Sequence, residues 1–144
     1  MPRDAVSAVL DDCIAANVRA VVVISAGFAE ADPAGRALQD ELVAKVRRAG
    51  VPMIGPNCMG VLDTSPDRPM NASFSPIFPP AGGLAMSSQS GALGIVILDL
   101  GSRRHVGLSS FVSVGNKADV SSNDLLEYWA SDPATSVIAL YLES

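Results

Sequence analysis

The sequence predicts an α/β fold with parallel sheets and with helices on both faces of the sheets. Three observations support this prediction. Apolar residues at helical spacing alternate with short β-branched runs, glycine and proline separate these segments, and 49% of the 144 residues are apolar while only 5% are aromatic. Ala, Val, Ile and Leu are the usual core residues of such sheets. The predicted order is α-β-α-β, a linker, and then β-α-β-α-β.

The first half of the chain is predicted to form two helix–strand pairs. The first helix has apolar residues at helical spacing, namely Val6, Val9, Leu10, Cys13 and Ile14. Residues 20–24 form a continuous apolar run that is typical of a strand buried on both faces. The second helix has its apolar residues at Leu38, Leu42, Val43, Val46 and Ala49. Gly50 fits the C-terminal cap of this helix, and residues 51–54 are a short predicted strand.

Residues 62–83 interrupt this alternation. They contain five of the ten prolines and show little periodicity, so they are predicted to be a linker or a domain boundary.

The second half is predicted to contain three strands and two helices. The strands are residues 84–86, 108–114 and 137–142, and the helices are residues 92–100 and 125–130. The first of these helices is apolar nearly all round and is therefore predicted to be buried. Ser122 or Asn123 could cap the second helix. Because the sequence ends on a predicted buried strand, we expect it to be a segment of a longer protein.

The charge pattern excludes some classes of partner. Ten Lys and Arg stand against fifteen Asp and Glu, the net charge is −5, and the charges are scattered. This balance argues against nucleic acid and against membrane surfaces as partners. With two cysteines, no signal peptide and no apolar run of membrane-spanning length, the sequence predicts a cytoplasmic protein. No metal site is predicted.

In open parallel sheets, ligands bind at the carboxyl ends of the strands. Polar or small residues at these predicted ends are Ser25, Ala26, Gly27, Asn57, Cys58, residues 87–91, Gly115, Asn116 and Glu143. The only histidine, His105, precedes a strand, so it is predicted to be a solvated loop residue at the opposite edge.

The turn at residues 87–91 joins a strand directly to a helix, and two interpretations remain open. The free N–H groups of the helix could bind a phosphate group, or Ser90 could simply cap the helix. A nucleophilic Ser90 is disfavoured, because the turn lacks a Gly-x-Ser-x-Gly pattern.

The other strand ends also allow two interpretations each. Residues 25–27 form a plain tight turn or approach a cofactor, and Cys58 is a packing residue or a reactive thiol. Glu143 could orient a histidine, act as an acid or base, or lie in solvent. Asn116, Lys117 and Asp119 could face the cleft or cap the next helix.

Six ordered strings resemble one family of proteins. They are ISAGFAE (24–30), GPNCMGV (55–61), NASF (71–74), SQSGALG (88–94), SVGNKAD (113–119) and YLES (141–144). Together they resemble the ADP-forming acetyl-CoA synthetase family and, more distantly, the α subunit of succinyl-CoA synthetase. The resemblance implies that residues 1–75 are the C-terminal part of a Rossmann-like CoA-binding domain. It implies that residues 76–144 are the N-terminal part of a flavodoxin-like, parallel-sheet domain.

The resemblance also implies a reaction. Family members are acid–thiol ligases that make acyl-CoA from a carboxylic acid, CoA and a nucleoside triphosphate, through acyl phosphate and phosphohistidine intermediates. By resemblance, Ser25, Ala26 and Gly27 touch CoA, and Asn57 and Cys58 lie where CoA meets the active site. Also by resemblance, Ser90 and Gly91 begin the helix whose N-terminus binds the phosphorylated histidine, and Glu143 hydrogen-bonds that histidine.

Several parts of the family pattern are missing from the sequence. The Gly-rich loop that binds CoA belongs before residue 1, and the phosphorylated histidine belongs after residue 144. The ATP-grasp domain or subunit, which uses ATP or ADP with Mg, is also absent, so we expect the segment to be inactive alone and the complete protein to be oligomeric. Ile95 stands where the succinate enzymes have a tyrosine, which favours the acetyl-CoA branch.

Two other functions compete with the ligase. The first is a regulatory module that senses CoA or acyl-CoA in a fusion with a protein acetyltransferase. The second is a nicotinamide-binding Rossmann protein, which ranks last because the sequence has no Gly-x-Gly-x-x-Gly turn.

Overall fold

The computed structural model describes residues 1–143. The helices in this range are α1 (Arg3–Ala15), α2 (Pro33–Ala49), α3 (Gly91–Arg103) and α4 (Ser122–Ala130). The strands are β1 (Val21–Val22), β2 (Met53–Ile54), β3 (Gly60–Asp63), β4 (Met70–Ser73), β5 (Ala81–Ser88), β6 (Leu108–Ser113) and β7 (Val137–Tyr141). Among the helices of residues 1–143, none has both the length and the apolar character needed to cross a bilayer.

The first half packs α1 and α2 against a parallel pair, β1 and β2. Its core contains Val6, Leu10, Val23, Phe28, Leu42, Val46 and Met53. The ends of α2 follow from local chemistry. Asp32 accepts a hydrogen bond from the N–H of Gly35 at 2.6 Å, Pro33 begins the helix, and Gly50 ends it with φ 67°. The predicted cap at Gly50 is therefore confirmed.

The second half is a five-stranded sheet in the order β4-β3-β6-β5-β7. Side chains alternate along the strands, so one face is covered by α3 and the other by α4. Met86 and Phe111 pack with Leu98 on the α3 side. On the other face, Ala85 and Val112 pack with Leu125 and Trp129 of α4.

The predicted linker is only partly correct. Residues 62–83 contain the end of β3, all of β4 and the start of β5, and β3 pairs antiparallel with both β4 and β6. The sheet is therefore mixed, whereas an all-parallel sheet was predicted. Pro66 and Pro69 lie in the connection between β3 and β4, where a missing N–H costs no sheet hydrogen bond. The predicted domain boundary between residues 75 and 76 stays a prediction.

Three predictions of burial are wrong. Within residues 1–143, strand β7 lies at the edge of the sheet beside β5 alone, and Val137 and Leu140 are exposed. Helix α3 leaves Val96 and Leu100 exposed, and Ile24 after β1 is exposed too. The reason is the same in each case. Apolar sequence shows what a segment can bury, but burial requires a neighbouring element, and no described residue covers these side chains.

Candidate functional site

Strand ends from both halves of the chain meet around one cavity of about 310 Å³. The cavity is lined by Ala29, Glu30, Arg36, Gln39, Asn57, Gln89, Gly115, Asn116, Lys117 and Glu143. Two carboxylates and two cationic side chains therefore share one polar space. Among the residues predicted at the strand ends, Asn57, Gln89, Gly115, Asn116 and Glu143 line this cavity, and so does Lys117 of the predicted polar loop.

Gln89 and Glu143 are held together by two strand ends. The N–H of Gln89 donates to the carbonyl oxygen of Tyr141 at 3.1 Å, which extends the ladder between β5 and β7. The N–H of Glu143 donates to Oε1 of Gln89 at 2.8 Å. Glu143 thus lies beside the turn that starts α3. The two regions that the sequence assigns to phosphate chemistry are on the same side of the fold.

Ser90 caps helix α3 as one of the two predicted interpretations requires. Its Oγ accepts a hydrogen bond from the N–H of Leu93 at 3.3 Å. Its carbonyl oxygen accepts a hydrogen bond from Oγ of Ser88 at 2.8 Å. Gly91 is the first residue of the helix and is half-buried. The phosphate role of Ser90 and Gly91 stays a prediction, and it is compatible with the cap, because a cap uses one N–H of several at a helix start.

The predicted five-residue turn is shorter in the structure. Ser87 and Ser88 belong to β5 and are fully buried, so only Gln89 and Ser90 separate the strand from the helix. Oγ of Ser87 lies 2.9 Å from Oγ of Ser122, at the start of α4. Ser87 is therefore a packing residue of the sheet.

Backbone groups of the turn after β1 are hydrogen-bonded to side chains of the chain itself. The N–H groups of Gly27 and Phe28 both donate to Oε1 of Glu30, the latter at 3.1 Å. The carbonyl oxygen of Gly27 accepts from Arg3 at 2.7 Å. Burial raises the pKa of Glu30, but hydrogen bonds from Asn116, Gly27 and Phe28 outweigh it, so the pKa lies below its usual value. Glu30 is therefore an ionised anchor for this turn.

Ser25 and Ala26 occupy the start of the same turn. The carbonyl oxygen of Ser25 accepts from the N–H of Asn57 at 2.9 Å, and its Oγ donates to the carbonyl oxygen of Met1 at 3.2 Å. Ala26 is exposed. Ser25 also lines a second, mainly apolar cavity of about 460 Å³ between α1 and β1. The CoA contacts of residues 25–27 stay a prediction.

Asn57 and Cys58 follow β2 but face different surroundings. Asn57 is exposed, has φ 57° and donates from Nδ2 to Oδ1 of Asn116 at 3.2 Å. Cys58 is 4% exposed, and its Sγ donates to the carbonyl oxygen of Val23 at 3.4 Å. Burial raises the pKa of the Cys58 thiol to about 11. The thiol is therefore protonated at neutral pH, which supports the packing interpretation.

The loop after β6 joins the two halves of the chain through backbone hydrogen bonds to the turn after β2. The N–H of Asn116 donates to Pro56 at 2.9 Å, and the N–H of Ala118 donates to Gly55 at 3.2 Å. Gly115 has φ 53°, and a Cβ there would lie 2.3 Å from the carbonyl oxygen of Pro56. A glycine is therefore required at this point of contact.

Asp119, at the other end of the same loop, also contacts the first half of the chain. Its carboxylate accepts from the N–H of Met53 at 3.0 Å and from Nε of Arg47 at 3.0 Å. It does not cap α4, which is preceded by Ser121 and not by the predicted Ser122 or Asn123. The backbone N–H of Ser121 and its Oγ both donate to the carboxylate of Asp124, at 2.8 and 2.6 Å. The loop therefore faces the cleft through Asn116 and Lys117, and Asp119 binds the first half.

Four residues that line the cavity were absent from the predicted site, namely Ala29, Glu30, Arg36 and Gln39. Ala29 and Glu30 lie inside the string ISAGFAE (24–30), which carries the family resemblance, so position in that string was an available signal. Arg36 lies in α2, outside these strings. Gln39 gives no such signal, because it lies in the middle of α2 and is 5% exposed. His105 is exposed in the connection between α3 and β6, outside the cavity, as predicted.

Comparisons with known proteins divide the chain into two matched regions. Residues 1–64 match a family described as a CoA binding domain, and residues 81–144 match one described as a succinyl-CoA ligase like flavodoxin domain. The acetate–CoA ligase [ADP-forming] I of Archaeoglobus fulgidus is 43% identical over 99% of the chain. The α subunit of the acetate–CoA ligase [ADP-forming] I of Pyrococcus furiosus is 41% identical over 99% of the chain. The chain spans 21% and 30% of the lengths of these two relatives.

Solved structures agree with these matches. The dinucleotide-forming acetyl-coenzyme A synthetase 1 of Candidatus Korarchaeum cryptofilum, in complex with phosphate and ADP, superimposes with a TM-score of 0.93. It is 44% identical, and the match covers 100% of this chain and 30% of that one. An ATP citrate lyase from Methanothrix soehngenii shares the fold at 18% identity, with a TM-score of 0.74 over 96% of this chain and 23% of that one. The chain is therefore an α/β protein whose first half matches a CoA-binding domain and whose second half matches a succinyl-CoA ligase like flavodoxin domain, and along 99% of its length it is similar to ADP-forming acetate–CoA ligases.

Proposed function

We propose that the chain is a segment of an acid–thiol ligase that forms acyl-CoA from a small carboxylic acid, CoA and ATP. In this reaction the carboxylate takes the γ-phosphoryl group of ATP, by way of a histidine, and becomes an acyl phosphate. The CoA thiolate then attacks the acyl carbon, and inorganic phosphate leaves. The products are acyl-CoA, ADP and phosphate, and the thiol proton goes to solvent.

One observation carries this proposal. The 310 Å³ cavity is lined both by Asn57, from the half that matches a CoA-binding domain, and by Gln89 and Glu143, from the half that matches a ligase domain. A reaction in which a phosphoryl intermediate meets CoA needs this arrangement, because the two groups must be brought within bonding distance.

Glu143 is the proposed partner of the phosphorylated histidine. Its backbone is fixed by Gln89, and its side chain lines the cavity. A carboxylate can accept a hydrogen bond from one imidazole nitrogen and so leave the other nitrogen as the nucleophile. Glu143 is therefore a positioning residue for the imidazole.

The N-terminus of α3 is the proposed phosphate site. Ser90 and Gly91 begin a 13-residue helix, whose free N–H groups and dipole favour a negative charge. Gln89, immediately before them, lines the cavity. Phosphate bound here would lie beside Glu143. A histidine that is oriented by Glu143 would have to reach this same place.

The proposed CoA segments are residues 25–27 and 57–58. Their fit to CoA is partial. The exposed side chain of Asn57 and the exposed Ala26 can meet a ligand, whereas the Cys58 thiol is buried and the N–H of Gly27 is bonded to Glu30. Contact with CoA at this point is therefore through Asn57 and the outer side of the turn.

The complete protein would supply the remaining parts. We propose that these are an ATP-grasp domain or subunit that binds ATP or ADP with Mg, the phosphorylated histidine, and the Gly-rich CoA loop. We further propose that the complete protein is cytoplasmic and oligomeric, and that this segment alone is inactive. The relatives named above are ligases, and nothing in them favours the regulatory acetyltransferase alternative.

The test is a product assay on the complete protein that contains this segment. With acetate, CoA, ATP and Mg, we expect acetyl-CoA to form together with ADP and phosphate in equal amounts. Formation of AMP and pyrophosphate would contradict the proposal, and so would a complete absence of acyl-CoA across a series of small carboxylic acids. The 144-residue chain alone, assayed in parallel, is expected to form no product.

A further inference from the structure

The side chain of Asn116 joins three separate segments. Its Nδ2 donates to Oε2 of Glu30, 86 residues away in sequence, and to Oε1 of Gln39 at 2.9 Å. Its Oδ1 accepts from Nδ2 of Asn57 at 3.2 Å. A single amide therefore contacts the turn after β1, helix α2 and the turn after β2.

Glu30 links Asn116 to the backbone of the turn after β1. While Oε2 accepts from Asn116, Oε1 accepts from the N–H groups of Gly27 and Phe28. Hydrogen bonds to an ionised carboxylate are stronger than those between neutral groups. The position of the peptide between Gly27 and Phe28 is therefore linked to the position of Asn116.

Asn116 itself cannot shift independently of the ligase half. Its N–H donates to Pro56 at 2.9 Å, and Gly115 before it has no room for a side chain. The loop continues directly from β6, which pairs with β5, the strand that ends at Ser88 before Gln89. The amide is thus fixed to the sheet that positions the phosphoryl side of the cavity.

We propose that Asn116 is a positioning residue that aligns the two segments proposed to contact CoA, residues 25–27 and 57–58, with the phosphoryl side of the cavity at Gln89 and Glu143. This inference rests on the proposed function. Asn116 acts through Glu30 and Asn57, and it touches none of the reacting atoms. Its loss should weaken the productive placement of CoA and leave phosphorylation of the enzyme intact.

An exchange of donor and acceptor tests this role. Asn116→Asp places a carboxylate against the Glu30 carboxylate, and Glu30→Gln places an amide against the Asn116 amide. In the double variant Glu30→Gln/Asn116→Asp the amide donates and the carboxylate accepts, so the contact returns in the reverse direction. Asn123→Ala, an exposed asparagine on α4, is the matched control.

The first measurement uses the 144-residue chain and requires no activity. We expect Asn116→Asp to speed hydrogen exchange of the Gly27 and Phe28 amides by about tenfold, because their acceptor is pushed away. The double variant should restore slow exchange, and Asn123→Ala should leave it unchanged. Equal exchange in wild type and Asn116→Asp would contradict the link between Asn116 and the turn, whatever the protein catalyses.

The second measurement uses the complete protein. We expect Asn116→Asp to raise the KM for CoA about tenfold, to leave phosphoryl labelling of the enzyme by ATP unchanged, and to be rescued in the double variant. A residue needed only for folding would lower labelling and the CoA-dependent step together. If the wild type is active and Asn116→Asp leaves the KM for CoA unaltered, this inference alone is overturned. If the wild type is inactive, the proposed function is overturned, and the hydrogen-exchange result then decides the role of Asn116.

Discussion

Gln89 holds the backbone of Glu143 from the end of the neighbouring strand, because its Oε1 accepts the N–H of Glu143 at 2.8 Å while its own N–H donates to the carbonyl oxygen of Tyr141. The first residue after β5 and the second residue after β7 are thereby fixed to each other. This contact brings the start of α3 and Glu143 to one side of the cavity, where a phosphoryl group could meet both.

Removing the Gln89 side chain should loosen Glu143 without unfolding the sheet. Gln89→Ala keeps the N–H that bonds to Tyr141, so we expect the free energy of unfolding to fall by only about 1 kcal/mol. In the complete protein, phosphoryl labelling should fall severalfold, because the backbone that carries the Glu143 carboxylate loses its contact with Gln89. Labelling equal to that of wild type would show that Gln89 has no such role.

Gly115 should tolerate substitution poorly, because it combines a positive φ with a close backbone contact at the junction of the halves. In Gly115→Ala the new Cβ would lie 2.3 Å from Pro56 and 2.4 Å from Asn57, so we expect a loss of about 3 kcal/mol. Gly50→Ala is the control, because Gly50 also has positive φ but nothing lies within 4 Å of its Cβ position. It should lose only about 1 kcal/mol.

Urea unfolding followed by fluorescence measures both glycine variants. The chain has one tryptophan, Trp129, which is 2% exposed and therefore reports its transfer to water. Equal losses in the two variants would mean that the conformation of the glycine matters and that the close contact at Gly115 does not.

The ion pair of Asp119 should stabilise the protein more than an exposed pair does. Asp119 is 14% exposed and accepts from both Arg47 and the N–H of Met53, so Asp119→Asn should cost about 1–2 kcal/mol in urea unfolding. Asp99 forms an exposed pair with Arg103 on α3, and Asp99→Asn should change stability by less than about 0.5 kcal/mol. A larger effect at Asp99 than at Asp119 would contradict this ranking.

The two cysteines should differ in reactivity. At pH 8 a thiol reagent should modify the partly exposed Cys13 in the native protein, and it should reach the buried Cys58 only after unfolding. A Cys13→Ser variant should therefore be almost unreactive until urea is added. Rapid native modification of Cys58 would contradict its burial.

Cys58 also predicts a loss of stability in alkali. Burial raises its pKa from 9.0 to about 11, so the fold favours the neutral thiol. This contribution is complete below pH 9 and is lost as the pH rises from 9 to 11. The loss amounts to about 3 kcal/mol at 1.36 kcal/mol per unit of pKa. Cys58→Ala should flatten the stability profile in this range, and an unchanged slope would contradict the assignment.

Periodicity predicted the helices better than it predicted the strands. The end of α2 at Gly50 followed from a local cap, and the long apolar pattern placed the body of the helix. Strands β3 and β4 are four residues each and lie beside prolines, so their pairing with β6 leaves no local signal. The exposure of β7 and of the outer face of α3 depends on which elements cover them, which periodicity does not report.

The sequence predicted residues of the candidate site only where they lie at or just after the end of a predicted strand. Asn57 and Glu143 were identified in this way, and both line the cavity. The contacts among Asn116, Glu30 and Gln39 join residues separated by 77 and 86 positions, and such pairs are visible only once the fold is known. The burial of Cys58 likewise depends on its contact with Val23, 35 residues away.

The most direct test of the proposed site is phosphoryl labelling of the complete protein by γ-labelled ATP. Wild type should form an acid-labile, base-stable phosphohistidine, and Glu143→Ala should lose about tenfold or more of this label while its unfolding midpoint stays unchanged. Glu127→Ala, an exposed glutamate on α4, should be labelled as wild type is. Full labelling of Glu143→Ala would contradict the claim that this carboxylate and the start of α3 enclose one phosphoryl site.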